Sequence, residues 1–478
     1  MPWVAMQFRS LNRLAAHLSP TRACVFLVAF ALFLAVDPRP LGDTAYSMLV
    51  SHSLLDRGRL DLDPYFAEPL QPLDPSLYPG MMGGRIPHTI DRVAGHLYYY
   101  FPPGTSVLST PFVFMFNAVG FSVADQDGRY AWRTERKIQR LLAAALMAAF
   151  TVLMFELARL MLPLRWSLVL ACASAFGSPV WSTASRAMWS HTWAIFLLGA
   201  AAYMLLAEAV GRRRCHGTLL GTLLAWAYFT RPTSIIPAAA IGVYLLLRLR
   251  SELPGYVGAF VGWGLGFVAA SWFHFGSVLP PYFLADRLGS DTFWTALVGN
   301  LISPSRGLFV FMPSLILVVA LLVRYRSRVE HRGLLILSGS ICLLHWIVVS
   351  TFPHWWAGHS YGPRLMTDIL PWLAIAAVLG THAWLATTGE ETSPARAGQW
   401  VAASLIAISV LIHGAGAISD RAHEWNALPV NVDSAPERIW DWRNPQVLSW
   451  LLPVSGPDPL PRPDLTECLL IGRRENAA

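Results

Sequence analysis

Apolar and polar positions fall along this chain in long blocks, with little short-period alternation. The runs 141–158 and 307–323 approach the roughly 20 apolar residues that span a hydrocarbon core. Comparable runs occupy 166–181, 187–207, 218–229, 234–247, 254–273, 333–350, 365–385 and 400–418, and a second span is expected at 104–124. Continuous runs predict membrane-crossing helices, since a membrane β-barrel would alternate instead. The first run, 23–36, is short and lacks a small-residue cleavage site before Asp37, so it reads as an uncleaved first helix. The expected fold is all-α: a polytopic bundle of about 11 to 13 spans over residues 1–418, followed by a tail, 419–478.

Polar positions define the rest of the layout. After the first run comes a region, 37–103, too long for a hairpin, carrying Asp43, Asp56, Asp61, Asp63, Glu68, Asp74 and Asp91. Within it, Met48, Leu49, His52 and Leu55 recur at helical spacing, as in a helix lying on a membrane surface. Arg9, Arg13 and Arg22 hold the N-terminus inside and so place this loop outside. The basic runs at 212–214, 248–250 and 324–328 mark further inner ends and put the tail outside. "RTERK" (133–137) conflicts with this: three apolar runs separate it from 212–214, where two inner markers require an even number. Either one run is re-entrant or "RTERK" faces outward. No internal repeat of the kind common in transporters is visible.

Composition supports the class. The chain of 478 residues is 54% hydrophobic and 14% charged, against about a quarter charged in soluble proteins. The net charge of +7 sits mostly on arginines at helix ends, so it reports topology and argues against nucleic-acid binding. The five cysteines are scattered, with neither metal-ligand spacing nor a disulfide framework.

Candidate chemistry gathers at outer helix ends. Asp43 in "LGDTAY" is a carboxylate at a membrane interface, suited to take a proton from a hydroxyl nucleophile; the alternative is an N-cap for the helix that follows. Arg231 in "FTRP", Arg306 in "SPSRG" and Arg364 in "GPR" suit bidentate phosphate contacts. Snorkelling to lipid headgroups is the alternative for each. Outward placement and flanking Pro and Gly residues favour a ligand role. His191, His354 and His359 do not cluster on one helix and read as hydrogen-bonded interface residues. Trp355 and Trp356 suit an aromatic belt. The tail reads either as a cap on the outer loops or as a membrane-surface segment.

Five stretches, "GDTAYSMLVSHSLLDRGRLDL", "YYYFPPGTSVLSTP", "FTRP", "SPSRGLFVFMP" and "WWAGHSYGPRLMTDILPWL", occur in this order over residues 41–371. The set resembles the GT-C class of integral-membrane glycosyltransferases, which includes protein mannosyltransferases and lipid A aminoarabinose transferases. The resemblance implies inverting transfer of a hexose or pentose from a polyprenyl-phosphate donor to a lipid, glycan or protein acceptor. The reaction would take place at the outer face of the cell membrane. It implies Asp43 as general base or as ligand of a divalent metal such as Mg or Mn. In a common pattern of the class two acidic residues are adjacent; here Thr44 follows Asp43, which leaves metal dependence open. Asp91 is the candidate second carboxylate. Arg364, Arg231 and Arg306 are expected at the leaving phosphate, and Tyr46, His359 and Tyr361 complete the substrate-binding set. The competing readings are a transporter or flippase for an anionic lipid or solute, and a non-catalytic membrane scaffold.

Overall fold

A computed structural model of the chain describes residues 19–38, 42–66, 89–125, 127–284, 288–289, 291–388 and 396–452. The readings made on Arg9, Arg13, Glu68 and Asp74 lie outside these. The first helix, α1 (Pro20–Leu34), begins at Ser19, whose hydroxyl accepts from Arg22 N, with Pro20 at its first position; both features suit a helix N-terminus. The remaining helices of ten or more residues are α2 (Ser47–Arg57), α3 (Gly104–Ala118), α4 (Trp132–Arg159), α5 (Leu164–Phe176), α6 (Ser190–Ala209), α7 (Gly217–Thr230), α8 (Ile235–Arg248) and α9 (Leu253–Phe275). They continue with α10 (Phe293–Ile302), α11 (Ser314–Arg324), α12 (Arg332–Ser350), α13 (Leu370–Thr388) and α14 (Arg396–Ile418). The protein is thus mostly helical. Among the described residues one short antiparallel hairpin, β1 (Ile90–Val93) with β2 (His96–Tyr99), accompanies the helices.

Among the described residues six stretches are long and apolar enough to cross a membrane: Trp132–Arg159, Ser190–Ala209, Arg250–Phe275, Arg332–Ser350, Arg364–Thr387 and Gly398–Ile418. Their burial separates centre from periphery. The stretches through α4 and α6 are 67% buried, whereas the one through α9 is 6% buried and turns its apolar side chains outward. A helix apolar all round must be covered by protein or lipid, so the bundle is that of a membrane protein with α4 and α6 at its centre. Small residues of α4, among them Ala143, Ala144 and Ala148, are fully buried and let neighbouring backbones approach.

Ion pairs fix which helix ends share a face. Arg22, early in α1, makes a two-pronged contact with Glu156, late in α4, at 2.7 Å through each nitrogen. At the opposite end Arg140 donates to Leu34 O at 2.7 Å. Helices α1 and α4 therefore run antiparallel, and "RTERK" stands on the same face as Asp37 and Asp43. The chain then leaves through α4 and returns through α5, since Met188 N donates to Gln139 Oε1 at 3.2 Å. It leaves again through α6 toward Arg212–Arg214. All three runs between the two basic markers thus lead from one end of the bundle to the other, which places "RTERK" on the Asp43 face and 212–214 at the opposite end.

The same geometry corrects the expected second span. Leu34 and Trp132 lie on one face, so a single helix between them cannot cross. Helix α3 has 15 residues, with Pro111 inside. Its first turn abuts the end of α7, where a Cβ on Gly104 would stand 2.4 Å from the Phe229 backbone. Only glycine allows that approach. Near its other end Asn117 is 3.2 Å from His52 of α2. Phe114 and Met115 on α3, and Val119 just past its end, are exposed, as in a helix dipped into one face of a membrane.

Candidate functional site

Asp43 sits on a single helical turn, Gly42–Thr44, just before α2. It is not the N-cap of that helix. Tyr46 holds the cap position with a φ of 73° and makes no side-chain cap bond. Glu135, the acidic residue of "RTERK", does the capping from α4. Its carboxylate accepts from Tyr46 N at 3.1 Å and Met48 N at 2.7 Å, a charged group satisfying donors at a helix start. Thr44 O accepts from Gln139 Nε2 at 2.8 Å and Ser47 Oγ at 2.7 Å. The turn is thereby clamped by its main chain, and the Asp43 carboxylate is left to face the cleft.

Across the cleft stands Arg364, which donates through Nη2 to Asp43 Oδ2. Its guanidinium lies 4.4 Å from the centre of the Trp189 ring, a cation–π contact that fixes its plane. Residues 321 apart in sequence thus meet. Thr105, Phe101, Ser190, Trp189, Tyr282 and Tyr99 complete most of the wall. Tyr99 donates its hydroxyl to Asp43 O. Burial, then the Asp43 and Glu135 carboxylates, hold the Tyr99 phenol well above its ordinary range, so it remains a donor. The hairpin and the "YYYFPP" turn supply this aromatic wall.

The other predicted arginines are occupied elsewhere. Arg231 pairs through Nε with Asp368 and donates to Ser190 Oγ at 3.2 Å. Asp368 also contacts His191 Nδ1 at 2.8 Å. The signal for Asp368 was legible, since a carboxylate inside the run 365–385 is costly in a membrane and asks for a partner. Arg306 does not face the cleft. It is buried and donates to five acceptors: Trp356 O at 2.6 Å, Ser305 O at 2.7 Å, Gly358 O at 3.0 Å, Asn426 Oδ1 at 2.9 Å, and Gln446 Oε1. Burial pushes its pKa down to about 9, which leaves it charged at neutral pH. The physical reason for the misplacement is that the tail folds over "SPSRG" and supplies acceptors that no local pattern announces.

Tyr361 donates to Ile412 O at 2.9 Å and packs on Phe311, so it ties its loop to α14. His359 is 2.9 Å from Asn431 Oδ1, and His354 is 2.8 Å from Asp433 Oδ1; both face the tail. Tyr46 is buried against Tyr130 and Phe66. Asp91 lies on β1 opposite Tyr98 and does not line the cleft. Of the eight predicted site residues, only Asp43 and Arg364 are brought together in the cleft.

Residues 419–452 form a cap centred on Gln446. Its amide accepts from Arg306 and from Gly362 N at 3.0 Å, and donates to Ser360 O at 2.9 Å. Gly362 has a φ of 61° and packs against Phe311 where a side chain would collide, so the turn presenting Arg364 needs glycine. Among the described residues Asp43 is the only carboxylate lining the cleft, and the Arg364 cation stands opposite, a pair that does not suit a divalent metal. Among the described residues no group of three His, Cys, Asp or Glu side chains is arranged to hold a metal. No family model and no curated protein matches the chain.

Proposed function

We propose that this is a membrane glycosyltransferase of GT-C type, taking a sugar from a polyprenyl-phosphate donor and passing it to a hydroxyl acceptor. The observation that carries the reading is the meeting of Asp43 and Arg364 in an aromatic cleft at one membrane face. The acceptor oxygen attacks the anomeric carbon as its proton passes to the Asp43 carboxylate. The bond from that carbon to the phosphate oxygen breaks, and Arg364 receives the charge that develops there. Direct displacement inverts the anomeric centre. Arg231 acts indirectly, by holding Ser190 in the wall, and Arg306 holds the cap.

Orientation follows from charge. The basic runs 212–214, 248–250 and 324–328 lie at the helix ends away from Asp43, so the positive-inside bias turns the cleft outward from the cell membrane. In this reading α1, α4 to α9 and α11 to α14 cross, a total of about 11 spans, and α3 and α10 lie in the interface.

The test is mass spectrometry of lipid-linked sugars and products in cells carrying wild type or Asp43→Asn. Loss of transfer by about 10²-fold or more, with the protein still folded, is expected. Wild-type rates would remove Asp43 as the base. The buried His191–Asp368–Arg231 group favours a second reading, transport of an anionic lipid or solute, because ionisable residues inside spans mark transport paths. Flux into proteoliposomes without any glycosylated product would establish it instead.

A further inference from the structure

The contact between Asp43 and Arg364 raises a problem for any in-line displacement. The base and the leaving phosphate must stand on opposite sides of the anomeric carbon. Here the carboxylate meant to take a proton touches the guanidinium meant to hold the phosphate. The space between the cleft walls is about 10 Å³, room for about one water and too little for a phosphate. The cleft is closed.

The three predicted arginines show which contact can open. Arg306 is held by five acceptors, four of them from other segments of the chain. Arg231 is locked by Asp368, itself fixed by His191. Arg364 donates among the described residues to a single carboxylate oxygen, and its Nε–H has no partner although buried. Its plane is held by Trp189, so it offers a fixed and half-used fork. On the other side, Asp43 is anchored by its main chain through Tyr99 and the neighbouring Thr44. Rotation of one side-chain bond would withdraw the carboxylate without disturbing the turn.

We propose that Asp43 is an internal stopper: in the free protein its carboxylate holds the place on Arg364 that a phosphate ester of the substrate takes. This deepens the transferase reading and rests on Arg364 being the phosphate contact. Entry of the phosphate displaces Asp43, seats the ester on both edges of the guanidinium fork and leaves the carboxylate free to act as a base. One exchange of partners thus couples donor binding to activation of the base. The closed state also lowers apparent affinity for phosphate by the fraction of molecules open at any moment.

The test uses the full chain in detergent, with farnesyl phosphate as probe, farnesol and inorganic phosphate as further arms, and tryptophan fluorescence as readout. Asp43→Asn should bind farnesyl phosphate about tenfold more tightly than wild type, although it has lost transfer. Arg364→Ala should lose binding, and the double variant should match Arg364→Ala. A gain with farnesyl phosphate alone marks a lipid-linked ester, and a gain with inorganic phosphate as well marks recognition of the phosphate itself; both support the stopper. Unchanged or weaker binding by a folded Asp43→Asn overturns it. Asp43→Ser is the second variant, and unfolding of both would make the contact a structural bridge, which overturns it too. Failure of wild-type transfer sinks the enzyme reading and leaves the binding comparison standing.

Discussion

Three arginines placed at similar turn motifs turn out to do three different things, and hydrogen-bond saturation tells them apart. Arg306 serves architecture: removing it strands five acceptors in a buried site. Arg306→Ala should therefore lower stability by about 3–5 kcal/mol, read as thermal unfolding in detergent. Arg306→Lys should recover little, since a point ammonium cannot reproduce a planar fork. Arg364→Ala should unfold near the wild-type temperature while losing transfer. Asp43 and Arg364 were legible because each carries charge at a break between apolar runs. Asp368 was equally visible in "RLMTDILPWL" and was absorbed into an apolar run whose average hid it. Glu135 and Gln446 were not legible, since the groups that give them their roles, Tyr46 N and Met48 N for one and Arg306 and Gly362 N for the other, lie 84 or more residues away.

Helix α3 shows how an element can be apolar, helical and yet not a span. The antiparallel pairing of α1 with α4 keeps it on one face. Composition could not reveal this, because the decisive constraint is Arg22 meeting Glu156, 134 residues later. The consequence is measurable by labelling single introduced cysteines with an impermeant maleimide in intact cells, against the labelling of wild type. Arg129→Cys, beside "RTERK", and Arg213→Cys are expected on opposite sides, with Arg129→Cys labelled from outside. Labelling of both from one side would rule out three crossings between them. The positions of most helical runs were legible in the sequence, but the run 307–323 breaks between Phe311 and Ser314 and the run 104–124 ends at Ala118; the direction of each run needed the contacts.

The whole molecule is divided by charge, with basic runs at one set of helix ends and the cleft and cap at the other. The cap is joined to the bundle partly through Asp433, which receives His354 and the Trp356 indole at 2.8 Å each. Burial raises the Asp433 pKa, but these hydrogen bonds outweigh it and hold the group down to about 2. Its unfolded value is about 3.9. A depressed folded value means that the stabilisation is complete above the unfolded pKa and is lost as pH falls through about 2. Thermal unfolding of wild type should thus fall more steeply between about pH 4 and pH 2 than that of Asp433→Asn. Equal slopes would show that Asp433 contributes nothing to docking the cap.

Gln446 has a consequence for the order in which the protein comes into being. A polytopic chain enters the membrane segment by segment as it is synthesised, and the loop bearing Arg364 is delivered well before Gln446. Until that amide arrives, Gly362 N lacks its acceptor and Arg306 lacks one of its five. The nascent protein can have all its helices in place and still present an unset Arg364. Maturation of the cleft is therefore a late event in biogenesis, and a chain stalled before the cap would be a membrane-inserted but unfinished protein.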